Sequence, residues 1–154
     1  HDHIPHLKKA VEIFKERKAE LVLHAGDYCS PFMIPPFEGL KLKGVFGNND
    51  GDKYLLISKF NDIGAEIAGD FLKTEAGGLT IAVYHGTYPE ITASLAESGR
   101  YNVLVTGHTH EKVNKKIGST LVINPGSANG FGDEATIALL DTETKKVEFV
   151  SLKS

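Results

Sequence analysis

Very little in this sequence could staple a fold together from outside its own core. The chain has one cysteine, Cys29, so an internal disulfide is excluded. It has no tryptophan and one methionine, so the core must come from aliphatic residues, Phe and Tyr. No apolar run approaches the ~20 residues needed to span a bilayer, and no basic-then-apolar leader opens the chain. No block of Lys and Arg is present and the formal net charge is -3, which excludes a track for long nucleic acid. Repeats, low-complexity tracts and linkers are absent too. These absences point to a protein of the reducing cytoplasm that acts on a small molecule, without a membrane partner. The 154 residues suit a single domain spanning 1–154 that buries its own core, and the 41% hydrophobic and 24% charged residues are ordinary for a globular chain.

Histidine is what the chain has in plenty. There are seven, and most stand beside Asp, Asn or Gly rather than on a helical face. The opening HDHIPH is His-rich, but Ile4-Pro5 begins a good helix, with Leu7, Ala10, Val11 and Phe14 at helical spacing to about residue 18. Leu21-Val22-Leu23 reads as a strand, residues 30–40 as a short helix or irregular loop, and Val45-Phe46 as a weak strand. A helix follows at 53–63, then a hairpin about Gly77-Gly78. A further helix from Pro89 to Ser98 is closed by Gly99. Strands at 103–105 and 121–123 precede a final hairpin from Ala135 to Leu140 and Val147 to Leu152. Helices and strands alternate early and hairpins dominate late, so a mixed α/β fold is expected, two sheets with helices outside.

Five of the strands end alike. Each gives way to a glycine-containing loop with Asp, Asn or His: HAGD, GNND, HG, GHTH and NPGS. In open α/β sheets ligands bind at the carboxyl ends of strands, so such loops can converge. They would gather one carboxylate, Asp27, one amide oxygen, Asn48, and the imidazoles of His85, His108 and His110. This thiolate-free N/O set suits Mn, Fe, Zn, Co or Ni better than Ca. Five ligands exceed what a four-coordinate ion needs, and a pair of ions sharing Asp27 is the economical solution. Singly the signals are weak. Asp27 could cap a helix, Asn48 to Gly51 could be a plain turn, and NPGS with Ser127 is an ordinary turn sequence. His24 falls in a strand and reads as a satisfied core histidine, His3 and His6 as exposed on the first helical turn, and Cys29 as a small buried filler.

The ordered set GD at 26–27, GNND at 47–50, HG at 85–86 and GHTH at 107–110 resembles the calcineurin-like metallophosphoesterases, above all their small single-domain phosphodiesterases. The resemblance runs through NPGS and the last hairpin. It implies an α/β fold in which a mixed two-sheet β sandwich is flanked by helices. It also implies a small phosphate-ester substrate, hydrolysed by a hydroxide bridging two divalent ions, Mn foremost and Ni, Zn, Fe or Co as alternatives. The family's first motif is Asp-x-His, and His1 resembles its histidine, so the resemblance further implies a first strand, about ten residues, upstream of residue 1. His1 and His110 then resemble ligands of one ion, and Asn48, His85 and His108 those of the other. Asp27 resembles the bridging carboxylate, which makes Asp27, Asn48 and His85 the residues nearest the chemistry. Asn49 departs from the His many members carry, and an amide cannot act as a general acid. A homodimer is implied by the resemblance alone. The competing readings are a non-catalytic scaffold of the same fold, like the retromer subunit, and a hydrolase of another bond such as an amide.

Overall fold

The computed structural model describes residues 1–129 and 131–153. Helix α1 (Ile4–Glu16) starts where expected: Pro5 sits in the first turn and His3 caps it, its Nδ1 accepting the His6 amide at 3.2 Å. Its buried residues Leu7, Ala10 and Val11 form one apolar face. Strand β1 (Val22–His24) and strand β2 (Leu42–Gly44) pair in parallel, Val22 opposite Leu42, with two single 3₁₀ turns at Pro31–Met33 and Pro35–Phe37 between them. Helix α2 (Lys53–Asp62) is capped by Asp52 and leads to β3 (Glu66–Ile67), which extends this parallel sheet.

The second sheet begins with β4 (Phe71–Ala76) and β5 (Leu79–Tyr84), an antiparallel pair turned about Gly77 and Gly78, both at positive φ as a tight hairpin demands. Helix α3 (Pro89–Glu97), β6 (Val103–Val105), β7 (Lys112–Ile117) and β8 (Thr120–Pro125) complete it in the order β4-β5-β6-β8-β7, with β5, β6 and β8 parallel. A hairpin of β9 (Thr136–Leu140) and β10 (Val147–Ser151) closes the chain.

The layers are those of the expected sandwich. Val45, Leu72, Ile81, Val83, Val103 and Ile123 fill the space between the sheets, with Leu23 and Leu140 packed against them. Leu7, Val11, Leu56 and Phe60 bring α1 and α2 onto Val22 and Leu42. On the opposite side α3 sets Ala96 against Ala82, Leu104 and Val122. Each such side chain contributes roughly 1.5–3 kcal/mol on burial.

One expectation needs correction, and two strands went unforeseen. The second strand lies at Leu42–Gly44, and Val45-Phe46 form the first step of the loop beyond it, with Phe46 N–H donating to Gly69 O. β3 has only two residues and its pairing comes from β2 rather than from its own sequence. β7 carries Lys112, Lys115 and Lys116 and no apolar alternation, because it is an edge strand that only β8 needs to recognise.

Candidate metal centre

The parallel strands β1, β2, β5, β6 and β8 deliver their loops to a single rim. Gly26, at φ +99, lets the β1 loop press against the β2 loop; a Cβ there would collide with the Gly47 amide. The next residue, Asp27, therefore stands directly over Asn48 and Asn49. Asp27, His108 and His110 all hold left-handed backbone, at φ of 63, 69 and 63. Such angles in non-glycine residues are strained and are kept only where surrounding structure dictates them.

The side chains form two groups that meet at Asp27. In one, His1 Nε2 lies 3.0 Å from His110 Nε2 and 3.4 Å from Asp27 Oδ2. In the other, His85 Nε2 lies 2.8 Å from Asn48 Oδ1, 3.2 Å from His108 Nδ1 and 3.4 Å from the same Asp27 Oδ2. His108 Nδ1 is 3.1 Å from Asn48 Oδ1. All six predicted residues thus come together, and one carboxylate oxygen faces both groups.

This donor chemistry fits cations. Imidazole lone pairs 3.0–3.2 Å apart repel unless a proton or a metal ion lies between them. Neighbouring ligands of an octahedral ion with bonds of about 2.1 Å stand about 3.0 Å apart, as these do. His85 Nδ1–H donates to Ala25 O at 2.7 Å, which fixes the tautomer and leaves Nε2 free to ligate.

The electrostatics favour an ionised bridge. Burial alone would raise the Asp27 carboxyl, but bonds from His85 and from the Asn49 amide and side chain outweigh it and hold Asp27 well below the usual carboxylate range. The Asn49 donors lie at 2.9 and 3.0 Å. His85 is the counterpart: burial would lower it, yet Asp27 and the Ala25 carbonyl raise it above an ordinary histidine.

Sequence reasoning missed the residues that hold this arrangement. Asp50, read as part of a turn, is buried, and its carboxylate accepts the amides of Asp27 (2.9 Å), Gly47 (2.7 Å) and Cys29 (2.9 Å). It locks the β1 and β2 loops together. Asn124, read as the start of a turn, is also buried; its amide donates to Gly107 O at 3.0 Å and Thr109 Oγ1 at 3.1 Å, shaping the GHTH loop. For Asn124 the available signal was a short polar side chain directly after an apolar run; Asp50 lies deeper in its loop, three residues past Gly47, and had none. Ser127 lies in this rim and caps the next turn, Oγ accepting the Asn129 amide.

His3 and His6 are half-buried rather than exposed: His3 caps α1 and His6 Nδ1 bonds the carbonyls of Ala128 and Asn129 at 3.1 Å. Cys29 is half-buried, its Sγ 3.5 Å from His1 Nδ1, so it borders the site instead of filling the core. His24 is the satisfied histidine expected. Its Nδ1 accepts the Gly26 amide at 3.0 Å and its ring lies on Tyr28, 4.1 Å between centroids.

Comparison with known proteins agrees with this geometry. Residues 1–145 match the profile described as the calcineurin-like phosphoesterase superfamily domain. The chain is 39% identical over 157 residues to phosphodiesterase MJ0936 of Methanocaldococcus jannaschii, covering 99% of this chain and 95% of that protein. Among solved structures it is similar to a novel archaeal phosphodiesterase, with a TM-score of 0.93 and 37% identity over 98% of this chain and 94% of the other. Vps29 from Entamoeba histolytica shares the fold alone, with a TM-score of 0.63 and 20% identity over 91% and 88% of the two chains.

Proposed function

The chain belongs to the calcineurin-like phosphoesterase superfamily and is a hydrolase of phosphate esters, and on that premise we propose that it is a phosphodiesterase working with two divalent ions, manganese foremost, that share Asp27. The observation that supports this most directly is the position of Asp27 Oδ2, 3.4 Å from a histidine of each group. His1, Asp27 and His110 would hold one ion, and Asp27, Asn48, His85 and His108 the other. Bound ions of this kind supply Lewis acidity, lowering the pKa of water toward about 7 and neutralising charge on phosphoryl oxygens.

The chain's own residues then have separable tasks. Asp27 stays ionised between the two groups because the Asn49 amide and side chain both donate to it. His85 is oriented by the Ala25 carbonyl. Asn48 presents its oxygen to both His85 and His108. Asn49 is committed to Asp27 and its amide carries no acidic proton, so departure of the alcohol gains no general acid from this position. Good leaving groups, such as those of aryl phosphodiesters, suit such a site. The presence of Asp27, Asn48, His85, His108 and His110 together argues against a purely scaffolding role.

The direct test strips the protein of metal, adds Mn and follows hydrolysis of an aryl phosphodiester. Mn should restore activity to the wild type and leave Asp27→Ala lower by at least about a hundredfold. Equal rates for the two proteins would refute the enzymatic reading.

A further inference from the structure

Beside the His1–His110 group opens a groove of about 580 Å³, also lined by Ser127, Phe131, Asp133 and Glu134. That is larger than a phosphate requires and lies within the range of small-molecule sites. Phe131 is 89% exposed, the most exposed phenylalanine among the described residues, and it stands in a loop that is tied down. Its amide donates to Asn129 Oδ1 at 3.0 Å, while the same buried Asn129 side chain lies 3.5 Å from His110 Nδ1. Lys153 Nζ donates to Gly132 O at 2.6 Å, and Lys112 pairs with Glu134 at 3.0 Å. A free-standing aromatic ring is thus tied through Asn129 to the His110 side of the centre, its face left open among the described residues.

We propose that Phe131 is a specificity residue of the phosphodiesterase reading given above, the platform on which a flat aromatic ester group stacks while its phosphate lies at the metal centre. Stacking on an exposed ring needs no directional partner and adds affinity beyond contact area alone. The acidic side of the groove sharpens the choice. Lys112 compensates Glu134, whereas Asp133 has no ion pair among the described residues. An ester group carrying further negative charge is disfavoured there, and a neutral aromatic one is preferred.

Calorimetry on Mn-loaded protein with phenylphosphonate and methylphosphonate tests this without turnover. Phe131→Ala should weaken phenylphosphonate about three- to tenfold and leave methylphosphonate unchanged. Phe131→Tyr should restore it, and Asp133→Asn should tighten binding of 4-carboxyphenylphosphonate. In turnover, Phe131→Ala should raise KM for an aryl diester with kcat preserved. Equal changes for both phosphonates, or no change for either, would overturn the assignment, as would failure of phenylphosphonate to bind a wild type that hydrolyses diesters. A wild type inactive with Mn on every aryl diester instead sinks the phosphodiesterase reading, on which the platform rests.

Discussion

Asp50 illustrates how much of the centre depends on a residue outside the proposed ligand set. Its two oxygens receive three amides, two of them from the β1 loop, and so join the β1 and β2 loops. Asp50→Asn removes an acceptor and places an NH₂ group against backbone donors. Mn affinity measured by titration should fall about 10- to 100-fold, although Asp50 is given no bond to the ion; unchanged affinity would show that the loops hold themselves. His24 makes a different prediction. Burial is the main cause that pushes it down to about 3. Below pH ~6.5 the unfolded chain takes up a proton on His24 that the folded chain refuses. Stability from this residue is therefore complete above about pH 6.5 and is lost as pH falls toward 3, up to about 4 kcal/mol in all. His24→Asn, which keeps an acceptor for the Gly26 amide, should flatten the difference in metal-free denaturant stability between pH 7 and 4.5. A variant with the wild-type pH dependence would dismiss the idea. The ligand residues themselves were legible because each followed a strand and a glycine. Asp50 and Asn124 were not, since the bonds that make them matter reach groups in other loops, Asp27 and Cys29 for one and Gly107 and Thr109 for the other.

At the scale of elements, legibility followed the strength of the local signal. Helix α1 shows both a first-turn proline and an apolar face in its sequence, and the Gly77-Gly78 turn needs positive φ at both residues, so each was plain. β3 and β7 were not. A two-residue strand has no period, and a lysine-rich edge has no buried face to alternate with. The β2 strand was read three residues late because Val45, just past its end, is fully buried and apolar and its amide still donates to His24 O. The β1 and β2 loops meet backbone against backbone at Gly26 and Gly47, with no room for a side chain on Gly26. Gly26→Ala must part these loops and also adopt an unfavourable φ. It should cost roughly 2–4 kcal/mol in denaturant melts and weaken metal binding along with it. A fully stable variant with intact Mn affinity would mean that the loops have slack that the geometry denies them.

For the molecule as a whole, the sandwich was legible from the order of strands and helices, whereas the sheet order β4-β5-β6-β8-β7 was not, because β6 passes over its chain neighbour β7 to pair with β8, which leaves β7 at the edge as the other arm of the β8 hairpin. The two ligand groups join the layers, His1 and Asp27 from the first sheet's side, His85, His108 and His110 from the second. Ions bound there stabilise only the assembled sandwich. At a hundred times its Kd, Mn should add about 2.7 kcal/mol and raise Tm by roughly 5–10 °C, read by calorimetry with and without metal. The rise should vanish in Asp27→Ala; its persistence would place the stabilising ion elsewhere.

The 109-residue separation of His1 and His110 has a consequence in time as well. No partly folded chain can present both rings until the first helix and the β6 loop have been brought to the same rim. Parallel pairing of β5, β6 and β8 is itself slow, because every contact closes a long loop. The ion therefore meets its ligands after the rate-limiting step. Saturating Mn should leave the refolding limb of a chevron plot where it was and lower the unfolding limb. The centre that performs the chemistry would then also act as a latch, closed last and opened first, that sets how long the folded molecule persists.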